Sequence, residues 1–202
     1  KGWPGKSLND FFHAAKMLGY AGVELHDGEK MAHPDGQNPL SKACAAATSR
    51  LAADEGVTLC CLDSLCDLTA PNAAGCGAQE LSATLERARA LRIPYVRVHA
   101  LTPADDETLR AVLEPAVVQA ERAGVTLLLE TVGVFADTKR LKAVLSAFAS
   151  DALAALYDAQ YPFRVAHETP EETVKNLGAF IRHVHLRDSR ETAGGFTPCL
   201  LC

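Results

Sequence analysis

Gly124-Val125-Thr126-Leu127-Leu128-Leu129-Glu130-Thr131 packs three signals into one short segment. A glycine closes the helical pattern before it. An apolar run follows with no alternation, as in a strand covered on both faces of a parallel sheet. An acid then emerges at the end of the run. The same order recurs along the chain. Candidate strands are Ala21–His26, Val57–Leu62, Tyr95–Ala100, Thr126–Glu130, Ala154–Asp158 and Ile181–Leu186. Helical patterns lie between them: Ser7–Leu18, Leu40–Glu55, Gln79–Leu91, Asp105–Ala123, Thr138–Ala149 and Thr169–Leu177. Ser7 with Asp10 reads as a capping box, Gly19, Gly56 and Gly178 as stops, and Pro170 sits at the favoured first helical position.

Strand centres near Val23, Thr58, Val96, Leu128, Leu156 and Val184 recur at roughly the 30-residue length of a βα unit. An open doubly wound sheet uses this repeat but carries a glycine-rich phosphate loop after its first strand. Gly75-Cys76-Gly77 lacks the third glycine, and Gly5-Lys6-Ser7 has no strand before it. The other architecture is the (β/α)8 TIM barrel, of about 250 residues. Six units are too few for it, and the chain begins on a helix. The expectation is an incomplete α/β barrel, one domain over residues 1–202, holding units two to seven without the first strand or the last unit. The absence of an initiator Met fits a start that is not the natural one.

Composition narrows the function. Apolar residues make up 48% and charged residues 22%, which is globular rather than disordered. The net charge of -5 argues against nucleic acid as partner, since that affinity rests on clustered Lys and Arg. No apolar run approaches the ~18 residues of a membrane helix, and the N-terminus has no signal-peptide pattern. The seven cysteines are an odd number in a chain long enough to bury its own core. A reducing, cytoplasmic setting is therefore expected. Cys60 and Cys61 read as small core residues. Cys199-Leu200-Leu201-Cys202 is a CxxC with no second pair and no following helix, and it carries no site.

The strand ends carry the chemistry. They read Val23-Glu24-Leu25-His26-Asp27, Leu62-Asp63-Ser64, Val96-Arg97-Val98-His99, Leu129-Glu130-Thr131, Leu156-Tyr157-Asp158 and His183-Val184-His185-Leu186-Arg187-Asp188. A single acid after a strand is ordinarily a loop residue or a cap. In a barrel, however, all parallel strands point their C-terminal ends at one mouth. Glu130, Asp158 and His185 would converge there, and two buried carboxylates side by side call for a cation. Carboxylate and imidazole donors without thiolate favour Mn²⁺, Mg²⁺ or Co²⁺, with Zn²⁺ also compatible.

At these residues the sequence resembles the xylose isomerase-like TIM barrels, the sugar phosphate isomerases and epimerases. The resemblance is carried by Gly19–Leu25, Leu91–His99, Gly124–Glu130, Leu156–Asp158 and, most specifically, by His183–Asp188 preceded by Thr169-Pro170-Glu171-Glu172. It implies one metal held by Glu130, Asp158 and His185, with a fourth ligand, a strand-eight Glu, that has no counterpart here. It further implies proton transfer beside a substrate carbonyl through an enediolate, with Glu130 as one of the two proton carriers. Burial would raise the pKa of Glu130 and a cation would lower it, so the net direction stays open. Glu24, His26 and His99 are candidates for orienting substrate hydroxyls. Relatives often carry His just after the strand-six Asp, whereas this chain has Gln160 and Tyr161, which hydrogen-bond but do not carry protons as His does. Arg187 stands where Lys is commoner. Its fork suits a substrate carboxylate or phosphate, or a salt bridge to Asp188 or Glu24.

The implied function is a metal-dependent isomerase or epimerase of a small sugar, polyol or sugar derivative. A lyase like the inosose dehydratases uses the same kind of site. A repair enzyme like endonuclease IV would need a His-rich trinuclear zinc site, and His13, His33 and His167 are not at strand ends. A truncated, inactive barrel is the third alternative, because without the eighth-strand Glu the chain is not expected to turn over substrate on its own. Self-association into a homo-oligomer is left open.

Overall fold

Six strands run parallel in sequence order: β1 (Gly22–His26), β2 (Thr58–Asp67), β3 (Tyr95–His99), β4 (Thr126–Glu130), β5 (Leu153–Asp158) and β6 (Ile181–His185). They are seen in a computed structural model that describes residues 6–27, 38–70, 78–192 and 195–201. Gly5, His33, the Gly75-Cys76-Gly77 segment and Cys202 lie outside the described residues. The helices are α1 (Leu8–Met17), α2 (Ala45–Asp54), α3 (Ala78–Leu91), α4 (Asp106–Ala123), α5 (Thr138–Phe148), α6 (Tyr161–Val165) and α7 (Pro170–Leu177). A short antiparallel hairpin follows, β7 (Asp188–Thr192) and β8 (Gly195–Cys199).

Local chemistry sets the helix ends. Ser7 and Asp10 form the expected capping box of α1, and Thr169 with Glu172 forms a second at α7. Asp105 and Asp137 cap α4 and α5, and Gly124 closes α4 in the left-handed conformation. Two short elements carry no periodic signal: the 3₁₀ turn Gly133–Ala136 and α6. Gly133 has φ +56, and a Cβ there would fall 2.3 Å from the Ala100 carbonyl oxygen. Only glycine lets the chain after β4 come this close to the end of β3.

The central strands β4 and β5 are apolar on both parities because both of their faces are covered, whereas the edge strand β6 alternates half-buried and exposed residues. Val96, Val98, Leu127, Leu129, Leu153 and Ala155 belong to the large core under the helices. Cys61, Leu128, Ala154 and Leu156 form a second, smaller cluster, on the concave side. Two residues beyond this inner cluster the same parity turns polar: Asp63 follows Cys61, Glu130 follows Leu128 and Asp158 follows Leu156. The register pairs Asp63 with Arg97 and Asp158 with His185. A bulge in β2 between Asp63 and Cys66 sits beside this polar layer.

The sheet is open, with β1 and β6 as its unpaired edges. It is a barrel-like arc rather than a closed eight-stranded barrel, as expected for an incomplete barrel. Its curvature still brings Glu24 of β1 into hydrogen-bonding distance of His183 and His185 of β6. Side chains therefore span a seam that backbone pairing does not. Val184 and Leu186 stay exposed at the β6 edge. Among the described residues, no helix is long and apolar enough to cross a membrane. Cys61 is fully buried and Cys60 donates to the Val23 carbonyl, as core residues should. Cys66 is disulfide-bonded, a bond the reducing reading did not include.

Candidate metal centre

Glu130, Asp158 and His185 stand at the C-terminal ends of three adjacent strands, and one donor atom from each lies within 4.8 Å of the others. Glu130 and Asp158 are buried. The His185 ring is the hinge of the site. Its Nδ1 is 3.1 Å from Glu130 Oε1, and its Nε2 is 2.8 Å from Glu24 Oε2. Burial works against charge on this imidazole, but hydrogen bonds to Glu130 and Glu24 outweigh it and push its pKa up to about 9.

The sequence reading missed the centre of this network. Arg97, nearly buried at mid-strand in β3, presses one nitrogen against Asp63 and sets the other 3.1 Å from His185 Nδ1, 3.5 Å from Glu24 Oε1 and 3.6 Å from Glu130 Oε1. A charge inside a strand covered on both faces demands counter-charges, and that was the available signal. Asp63 accepts from Arg97 and lies 2.8 Å from His26 Nδ1. Burial would raise the Asp63 pKa, but these partners hold it far below the usual carboxylate range. Burial works against the charge on Arg97, but Asp63, Glu130 and Glu24 outweigh it and raise its pKa further. Glu130 shows the same balance: burial pushes it up, while His185, His99 at 2.9 Å and Arg97 bring it down to about 2. Glu24, held by His183, His185 and Arg97 against its burial, also falls to about 2.

Arg187 pairs with neither Asp188 nor Glu24. Its guanidinium lies against Asp158 Oδ2 and 3.8 Å from Glu130 Oε1. The contact with Asp158 is an ion pair, and that buried oxygen has no hydrogen-bond partner. Thr131 fixes the strand end: its hydroxyl accepts from the Asp158 backbone N–H at 2.8 Å. Gln160 is turned away from the cluster and donates to Ser189 Oγ of the hairpin at 2.7 Å. The Tyr161 ring lies beneath the Arg187 guanidinium, 5.5 Å from ring centre to carbon.

The donor set fits a divalent cation. It offers two carboxylates and one imidazole, and Oδ2 of the Asp158 carboxylate is buried without a hydrogen bond. The charges fit as well. The imidazolium proton of His185 and the guanidinium of Arg187 put two unit charges beside these donor atoms, which one divalent ion would replace without changing the local balance. Arg187 is 46% exposed and free to swing out, whereas Arg97 is held from below by Asp63.

The sequence profile of the xylose isomerase-like TIM barrels matches residues 12–197. Among solved structures, the chain is similar to 3-keto-D-glucoside 4-epimerase from E. coli, with TM-score 0.74, 13% identity, and coverage of 96% of this chain and 80% of that one. It is similar to the probable 3-DHS dehydratase from Bacillus anthracis, with TM-score 0.74, 14% identity, and coverage of 91% and 69%. It is also similar to the IOLI protein solved with a zinc atom, with TM-score 0.71, 18% identity, and coverage of 93% and 70%. No curated protein matches the sequence.

Proposed function

The chain belongs to the xylose isomerase-like TIM-barrel family, and from that premise we propose that its site serves a metal-dependent isomerase or epimerase of a small sugar or sugar derivative. The observation that carries this reading is the convergence of Glu130, Asp158 and His185 donor atoms at the ends of β4, β5 and β6. A divalent ion held there would supply a Lewis acid for a carbonyl and its neighbouring hydroxyl.

The chain's own residues do the rest. Thr131 and the strand backbone orient Asp158. His99 holds the second oxygen of Glu130, leaving Oε1 toward His185. Arg97 ties Asp63, Glu24 and Glu130 into one rigid floor. Arg187, once off Asp158, would face an anionic or hydroxyl group of the substrate, with Tyr161 beneath it. Glu24, His26 and His99 line the cluster as hydroxyl-orienting groups, and Gln160 reaches the substrate only if Ser189 releases it. Glu130 is first a ligand. With its pKa near 2 it is a weak base in this arrangement, so its role as proton carrier is the sharper part of the proposal.

Mn²⁺ binding followed by electron paramagnetic resonance tests the ligand set. One ion per chain is expected in the parent, with loss in Asp158→Asn. Equal binding in both would refute the assignment. In a full-length barrel that supplies the strand-eight Glu, solvent deuterium should enter the carbon beside a ketose carbonyl, and not in its Glu130→Gln variant. Equal rates would leave Glu130 a ligand only. Dehydrated product in the same assay would mark the lyase alternative, which shares the first proton abstraction.

A further inference from the structure

His183 and His185 lie two apart on β6, so both rings fall on the same face of the strand. Glu24, on the concave face of β1, meets them across the open seam. Its Oε2 is 3.2 Å from His183 Nε2 and 2.8 Å from His185 Nε2. The three donor atoms form a second group close enough to share one ion. We propose that Glu24, His183 and His185 form a second divalent-metal site, suited to zinc, that takes His185 away from Glu130 and Asp158.

Three observations support it. First, the donor set differs in kind. Two imidazoles and one carboxylate suit zinc, whereas two carboxylates and one imidazole suit Mn²⁺ or Mg²⁺. Zinc with nitrogen and oxygen ligands at ~2.0–2.2 Å sets tetrahedral donors about 3.3–3.5 Å apart, so the observed spacings need only small adjustments. Second, among the described residues no guanidinium forms an ion pair or hydrogen bond with these three atoms. Arg97 approaches Glu24 through the other oxygen, Oε1, at 3.5 Å. By contrast, Arg97 and Arg187 both crowd the ligand atoms of the first site. Third, the side chains of Glu24, His183 and His185 are 17%, 22% and 21% exposed, so an ion has a path in.

The two sites share one ring. Nδ1 of His185 faces Glu130 and Nε2 faces Glu24. A neutral imidazole has one lone pair to give, so zinc in the seam and Mn²⁺ at the strand ends exclude one another. This antagonism rests on the proposed function, whereas the seam site itself does not.

The test uses the metal-free chain, with Zn²⁺ affinity read by competition against a chromophoric chelator. Asp158→Asn should hold zinc within about threefold of the parent. His183→Asn and Glu24→Gln should each weaken zinc by tenfold or more while keeping the parent's circular dichroism spectrum. Parent-like zinc affinity in both seam variants, or a tenfold loss in Asp158→Asn, would overturn the proposal. X-ray absorption on the parent's zinc complex is independent of any variant: two imidazoles are expected, and one would overturn it. Zinc should release Mn²⁺ from the parent at a lower concentration than from His183→Asn, where only direct exchange at the strand ends remains; equal concentrations would overturn the shared-ring argument. Failure of the parent to bind Mn²⁺ at all would refute the proposed function instead, with the chelator competition still deciding the seam site.

Discussion

Loading the strand-end site should expel a proton, and the size of that effect follows from His185. Its imidazole is held between Glu130 and Glu24 with a pKa of about 9, so near neutral pH the metal-free ring is almost wholly protonated. An imidazole must be neutral to ligate a metal. Each Mn²⁺ bound at pH 7 should therefore release close to one proton. The apparent affinity should rise about tenfold per pH unit up to about 9, or roughly 300-fold between pH 6 and pH 8.5. Glu130, at about 2, and Asp63, held lower still, are ionised throughout and add nothing to the slope. Calorimetric titration in buffers of different ionisation enthalpy reads the proton count directly. A count near zero at pH 7 with affinity flat from pH 6 to 8.5 would refute the account. It would mean that His185 is neutral in the free site or is not a ligand.

Three further outcomes are expected. The metal-free fold should lose stability on both sides of a window. The raised pKa of His185 contributes stability present below about 6.5 and lost as pH rises through about 9, worth about 3 kcal/mol; the lowered pKa values of Glu24 and Glu130 contribute stability present above about 4.5 and lost as pH falls toward 2. Melts from pH 2 to 10 check this, and a midpoint that does not fall between pH 6.5 and 9.5 would count against it. Arg97→Met should cost about 3–5 kcal/mol by stranding Asp63, Glu24 and Glu130 without their counter-charge, read as a shift in denaturant midpoint; a loss below 1 kcal/mol would show that the carboxylates find other partners. Gly133→Ala should cost at least 1–3 kcal/mol, because the added carbon meets the Ala100 carbonyl at a positive φ, and a parent-like melting temperature would contradict the close approach.

The repeat was legible because it is local. A helix stop, an apolar run and a polar strand end recur at βα spacing, and α1, α4, α5 and α7 each start on a side-chain N-cap, so they lie within a residue or two of their expected spans. Convergence of Glu130, Asp158 and His185 was legible for a related reason: parallel strands put the same end at the same mouth, whatever the loops do. The hairpin after β6, the placement of Gln160 on Ser189 and the partners of Arg187 were not legible, because each depends on elements distant in sequence. Arg97 stood in the open as a charge within an apolar strand, yet nothing nearby named its partners, which come from β1, β2, β4 and β6. The meeting of Glu24 with His183 and His185 is the clearest case. Residues 159 and 161 positions apart come together only because the sheet curls until its two unpaired edges face each other. Curvature belongs to the whole sheet, through strand twist summed over every pair. The chain's local pattern could name the strands and their ends, but only the assembled sheet could decide which ends touch.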